Sequence, residues 1–173
     1  MLFNSKNRTL LGVLLLIMTL VWTAFIFLNS ASEGEQSAEQ SDKVVEMVER
    51  AAEKVGISFE DRDTLHRGIR KSAHFLEFAL LGALCFMTAV AFELKPYAFS
   101  AFPIGYCVIA AATDEYIQTF TPGRVGQISD VMIDVAGASF AILICLAVLL
   151  LIDLRKKHTR KKAMLRTETE SAD

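Results

Sequence analysis

Four apolar runs dominate the chain: Leu10–Leu28, Ser72–Phe92, Tyr97–Thr113 and Val131–Ile152. Roughly 20 mainly apolar helical residues cross the hydrocarbon core of a bilayer, so each run predicts a transmembrane helix. The third is short and carries Pro103 and Gly105, which predicts a kink or a break. The first could also be read as a signal peptide, because Lys6 and Arg8 precede it and Ser30, Ala31 and Ser32 follow. Its length and the poor cleavage sequence Asn29-Ser30-Ala31 favour retention as a helix. The predicted fold class is all-α, a four-transmembrane-helix bundle with an outer amphipathic helical segment.

That outer segment is the polar stretch between the first two runs. Ser37-Ala38-Glu39-Gln40 fits a capping box. Val44, Val45, Val48, Ala51, Ala52 and Val55 then recur at helical spacing until Gly56 closes the run. The polar face carries Glu46, Glu49, Arg50, Glu53 and Lys54, so the helix reads either as a solvated face over a small hydrophobic contact or as a lid over a site. Ser58 is the candidate cap of a further helix that includes Leu65 and Ile69 and runs unbroken into the second span.

Composition agrees with a membrane solvent: 53% of the 173 residues are hydrophobic. The net charge of −2 hides a segregation that sets orientation. Lys and Arg collect on the cytoplasmic side, and Arg155, Lys156, Lys157, Arg160, Lys161, Lys162 and Arg166 all follow the last span. The C-terminus is therefore expected inside, and four spans put the N-terminus with Lys6 and Arg8 inside too. The expected organisation is a cytoplasmic N-terminus (1–8), a membrane domain (9–153, with the outer segment at 29–70) and a basic cytoplasmic tail (154–173) of a plasma-membrane protein. Glu93-Leu94-Lys95-Pro96 becomes a tight inner turn. Trp22, Tyr97 and Tyr116 are candidates for headgroup positions. Cys85, Cys107 and Cys145 lie inside apolar runs without a CxxC pair, and read as packing residues.

Ionisable residues in or beside spans are costly unless paired or hydrated, and so mark candidate sites. At the outer end of the second span stand Arg70, Lys71, His74 and Glu77, the last three spaced three apart on one helical face. Asp114, Glu115 and Gln118 end the third span, and Thr121-Pro122-Gly123-Arg124 is a turn presenting an arginine. Ser129 and Asp130 would cap the fourth span, with Asp134 one turn deeper. The expected topology gathers all of these on the outer side, with three bases against five acids when His74 is neutral. Mutual pairing could satisfy most of that charge, so the cluster could tie helices together, but it exceeds what a few helix contacts need.

Several chemistries fit these residues. His74 could act as a general base assisted by Glu77 or Asp130, while Arg70, Lys71 and Arg124 hold a phosphate or carboxylate. Asp114, Glu115, Gln118 and Asp134 complete the candidate ligand-binding set. Alternatively, His74 with Asp130, Asp134 or Asp114 could take a divalent cation. No metal set or cofactor is assigned from the sequence. HExxH, GxSxG and a phosphate-cradling glycine loop are absent. The basic run flanks a span without interleaved aromatics, which argues against nucleic acid.

Three spaced motifs resemble the VanZ-like proteins of bacterial envelopes. After the first span comes Phe27-Leu28-Asn29-Ser30-Ala31-Ser32 with Ser37 and Ser41. The second, Lys-x-x-His-Phe-x-Glu-Phe-x-x-Leu-Gly, is matched from Lys71 through His74, Phe75, Glu77, Phe78 and Leu81 to Gly82. The third is Asp114-Glu115-Tyr116-Ile117-Gln118-Thr119-Phe120-Thr121-Pro122-Gly123-Arg124, followed by Asp130, Asp134 and Gly137. Asn29 and Ala31 depart from the first motif, so no role is carried over to that segment. Asp134 stands where many members carry asparagine.

The resemblance covers residues of about 20–150 and implies a four-helix membrane domain with outward polar motifs. In some members it is associated with lowered susceptibility to glycopeptides such as teicoplanin. The implied partners are membrane lipids and a lipid-linked wall precursor or the glycopeptide itself. A binding module for such an envelope molecule is the first expectation, and a small membrane enzyme, a hydrolase or transferase on a lipid headgroup, the second. An ion or proton pathway ranks last, because the acids cluster at one face.

Overall fold

In the computed structural model, residues 5–32, 34–54, 61–94 and 98–170 are described. They form five helices and no strand: α1 (Ser5–Ser30), α2 (Gly34–Glu53), α3 (Arg62–Ala91), α4 (Ala98–Gln118) and α5 (Ile128–Glu170). Three of them contain stretches long and apolar enough to cross a membrane, Asn7–Ser30, Arg62–Ala91 and Ile128–Arg160. α4 is not among these, because its last turns carry Asp114, Glu115 and Gln118 and shorten its apolar length. It runs unbroken through the buried Pro103. That proline lies in the second turn, where the missing N–H removes a single bond near the helix start.

The chain divides into two units, Met1–Ile142 and Leu143–Asp173. In the first, Ile26, Phe78, Leu81, Cys85, Cys107, Ala110, Ala111 and Ala138 form one buried core from α1, α3, α4 and α5. α1 is part of it, through Ile26 and through hydroxyl contacts of Thr23 with Tyr106 (2.9 Å) and Thr19 with Thr88 (3.3 Å). Trp22 packs on this core and donates its indole N–H to the Glu77 carbonyl at 3.0 Å, an internal tie. Tyr116 is exposed beside Phe120, and Tyr97 lies outside the described residues. The cysteines are free; Cys85 and Cys107 are buried, as packing residues should be.

The apolar surface left over is large on the helices that read as spans: Leu10, Val21 and Leu28 of α1 are 61%, 64% and 73% exposed. Such faces suit lipid. The second unit continues α5 with exposed Leu143, Leu150, Leu151 and Leu154 and then exposed basic residues, where Lys157 pairs with Asp153 at 2.7 Å. As far as residue 170 the basic tail is helical.

The helix starts differ from the sequence expectation. α2 begins at Gly34, ahead of Ser37. Ser58 and Gly56 lie outside the described residues, and α3 is capped by Asp61, whose carboxylate accepts from Asp63 N (3.0 Å) and Thr64 N (3.2 Å). The Thr64 hydroxyl also donates to it and holds Asp61 below the usual carboxylate range. α3 then runs unbroken into its apolar part, as expected. Asp61→Ala should lower the melting temperature of the protein in detergent by a few degrees at neutral pH. Because the folded-state pKa is lowered, this contribution is present above the ordinary carboxylate pKa. The gap between wild type and variant should therefore shrink as pH falls through it.

α2 packs on the first turns of α3, with Val45 fully buried and Asp42 2.7 Å from His66 and 3.7 Å from Arg62. At its other end α3 closes with Glu93 in the left-handed region (φ 54°), Glu93 N donating to Val90 O and Leu94 N to Ala89 O, both at 3.1 Å. This is the Schellman arrangement, and Arg8 pairs with the Glu93 carboxylate. Lys95 and Pro96 of the expected inner turn lie outside the described residues.

Candidate functional site

The polar motifs converge where the end of α1, the middle of α3, the end of α4 and the start of α5 meet, all within the first unit. The α4–α5 connection is built by local rules. Arg124 N donates to Thr121 O at 3.1 Å around Pro122 and Gly123, and Gly123 has φ 74°, as the third residue of a type II turn requires. Beyond it, Gln127 N donates to Glu115 Oε2 at 2.7 Å. This tie sets the start of α5 at Ile128, so Ser129 and Asp130, expected as caps, sit in its first turn. An acidic side chain there is favoured by the helix dipole.

Gln118, fully buried, is the hub. Its Nε2 donates to Asp114 Oδ2 (3.0 Å) and Glu115 Oε1 (3.1 Å), and its Oε1 accepts from Arg70 Nη2 (3.1 Å). The amide therefore links two acids on its own helix to a base on α3. Lys71 Nζ stands 3.9 Å from Asp130 Oδ1, which also accepts from Ser129. His74 Nδ1 lies 3.5 Å from Asp134 Oδ1, with Asp134 fully buried. Glu77 turns toward α1, where Asn29 Nδ2 is 3.4 Å from its Oε1. The helical face shared by Lys71, His74 and Glu77 thus holds three separate contacts, and the carboxylate beside His74 is Asp134, while Glu77 and Asp130 bond elsewhere.

Arg124 is buried rather than presented outward, and its Nη2 donates to the Asn29 carbonyl at 3.0 Å. Burial, reinforced by the nearby charge of Arg70, pushes its pKa down from the usual arginine value. Thr121 donates to the Ser30 carbonyl at 3.1 Å, and Ser30 itself is buried beside Asp114. The end of α1, to which sequence reasoning gave no role, is therefore an integral wall of the cluster. No residue type signals the Asn29 and Ser30 carbonyls, because they are main-chain groups. Only the position of the segment directly after a span could have pointed to them.

A cavity of about 270 Å³ opens onto this arrangement, lined by Arg67, Arg70, Lys71, His74, Gln127, Asp130 and Ile133. It is strongly basic on its α3 side, and Arg67 is an addition to the residues expected. None of the described α2 side chains lines it, and those near it pack on the first turns of α3.

Three helices long and apolar enough to cross a membrane, with a buried polar cluster between them, mark an all-α membrane protein. The chain belongs to the VanZ-like family: the VanZ/LLP1 family model matches residues 15–151, from the middle of α1 through most of the apolar part of α5, and takes in every residue of the cluster. No curated protein and no solved structure gives a significant match.

Proposed function

We propose that the chain is a bacterial plasma-membrane protein with four spans, α1, α3, α4 and α5, and with both termini in the cytoplasm. In this reading the cluster faces outward and binds a phosphate-, carboxylate- or amide-bearing envelope molecule, such as a lipid-linked wall precursor or a glycopeptide. The observation that carries it is the cavity: Arg67, Arg70, Lys71 and His74 line it from α3 and Gln127, Asp130 and Ile133 from the start of α5 and the residue before it, so an anionic headgroup would meet a basic wall and reach the imidazole. The orientation rests on the basic residues after the last apolar run.

A Gram-positive host expressing wild type, His74→Ala or Asp130→Asn, with membrane levels equalised, should tolerate more teicoplanin with wild type only. Unchanged tolerance with wild type at normal membrane levels would overturn the glycopeptide link. A second reading, a hydrolase or transferase on a lipid-linked headgroup, is favoured by His74 lining the cavity with Asp134 behind it, the arrangement of a base and its orienting carboxylate. It predicts turnover of such a lipid by purified protein and its loss in His74→Ala with the fold intact.

A further inference from the structure

The deepest part of the cluster is under-satisfied. Asp114 and Asp134 are both fully buried, and His74 is 9% exposed. Among the described residues, Asp114 Oδ1, both carboxylate oxygens of Asp134 and His74 Nδ1 find no hydrogen-bond partner. Buried carboxylate oxygens without donors are among the costliest groups in a protein. The bases that could neutralise them are engaged elsewhere: Arg70 on Gln118, Lys71 beside Asp130, and Arg124 on the Asn29 carbonyl. The three residues nevertheless come from three helices to one point, each offering a ligand atom within 4.8 Å of the others.

From this juxtaposition we infer that His74, Asp114 and Asp134 form a binding site for one divalent metal ion of the Zn²⁺ or Mn²⁺ type. Two ligand atoms, each ~2.1 Å from a tetrahedral ion, lie about 3.4 Å apart. The 3.5 Å separation of His74 Nδ1 from Asp134 Oδ1 has that value and is long for a hydrogen bond. One imidazole and two carboxylates suit a borderline divalent ion better than Ca²⁺, which takes six to eight oxygens, or a thiolate-seeking metal. A 2+ charge offsets the two carboxylates. Gln118, donating to the other oxygen of Asp114, would orient that ligand, as outer groups commonly do around metal sites.

Three protein ligands leave coordination open, and His74 also lines the 270 Å³ cavity, so an anionic oxygen entering past Arg70 and Lys71 would meet the ion. For that use the inference rests on the envelope-ligand reading; for binding of the ion it does not.

The test uses full-length protein in detergent, stripped with a chelator and titrated with Co²⁺ as a spectroscopic probe. Wild type should take up one equivalent, give visible ligand-field bands of four- or five-coordinate cobalt, and release it to stoichiometric Zn²⁺. The near-isosteric changes Asp134→Asn and Asp114→Asn should each weaken cobalt binding by about tenfold or more, with circular dichroism confirming the fold. Should one variant fail to fold, the other and the effect of chelator on the wild-type melting temperature decide. No stoichiometric cobalt uptake by wild type, or equal uptake by folded variants, overturns the site and leaves a proton between His74 and Asp134 as the neutralising charge. The two readings separate cleanly. Absent cobalt binding with intact teicoplanin tolerance removes the ion alone, and cobalt binding without any effect on tolerance removes the glycopeptide link alone.

Discussion

Gly137→Val should strip most folded protein from the membrane fraction and lower the melting temperature of what remains by well over ten degrees. A side-chain carbon placed on Gly137 would lie 2.2 Å from the Phe75 carbonyl oxygen and 3.0 Å from its carbonyl carbon. These are main-chain atoms of α3 and cannot rotate away. The contact is doubled two turns along α3, where a carbon on Gly82 would meet the Ala138 carbonyl oxygen at 2.6 Å. Small residues on both sides let the two backbones touch, which is how helices associate in lipid, where no hydrophobic force separates them from the solvent. Overpacking a tight interface costs about 1–3 kcal/mol, occasionally more, and here two rigid backbones must part, against a total stability of roughly 5–15 kcal/mol. The crossing also carries the site: Phe75 follows His74, and Asp134 lies three residues before Gly137. Gly137→Ala is the graded control and should retain more protein than valine while still weakening cobalt binding. A Gly137→Val protein that melts with wild type would mean that the crossing is not tight.

How much of this could be read from residues alone depends on what kind of interaction fixed each feature. The apolar runs of α1, α3 and α5 were legible because run length is a local property that lipid selects directly. α4 was less so: its polar end, Asp114 to Gln118, is also the site, and those residues shorten the apolar length. Helix starts were legible only as sets of candidates. Ser58 is the candidate for α3, which Asp61 caps, and Ser129 the candidate for α5, whose start is set instead by the bond between Glu115 and Gln127 N, which comes from another helix. Convergence of the charged motifs was legible from topology, since spans of alternating direction bring alternate ends together. Their pairing was not. Spacing along α3 suggested Glu77 for His74, whereas the structure turns Glu77 to Asn29 and brings Asp134 across from α5. The glycines at positions 137 and 82 are the sequence features that encode this crossing, and their meaning appears only when Phe75 and Ala138 are seen against them.

Gln118→Leu should be the most damaging single change in the cluster that alters no charge. Leucine occupies a similar volume and would be welcome in an apolar core, so a cluster held by packing alone would tolerate it. Here the amide makes three bonds with no exposure to water, to Asp114, Glu115 and Arg70. Removing it takes a donor from two buried carboxylates and the acceptor from a half-buried guanidinium in one step. Breaking a buried charged contact typically costs about 3–5 kcal/mol, because the surviving charge stays desolvated. The thermal midpoint should fall accordingly, and Gln118→Glu should fare little better, since it replaces the donor with a third acid facing the two already present. A double-mutant cycle isolates the arm to α3: Arg70→Met should destabilise wild type but add much less on top of Gln118→Leu, where its partner is already gone. Additive losses would instead mean that Arg70 works through another contact, and the link that the hub makes between α4 and α3 would have to be carried by packing.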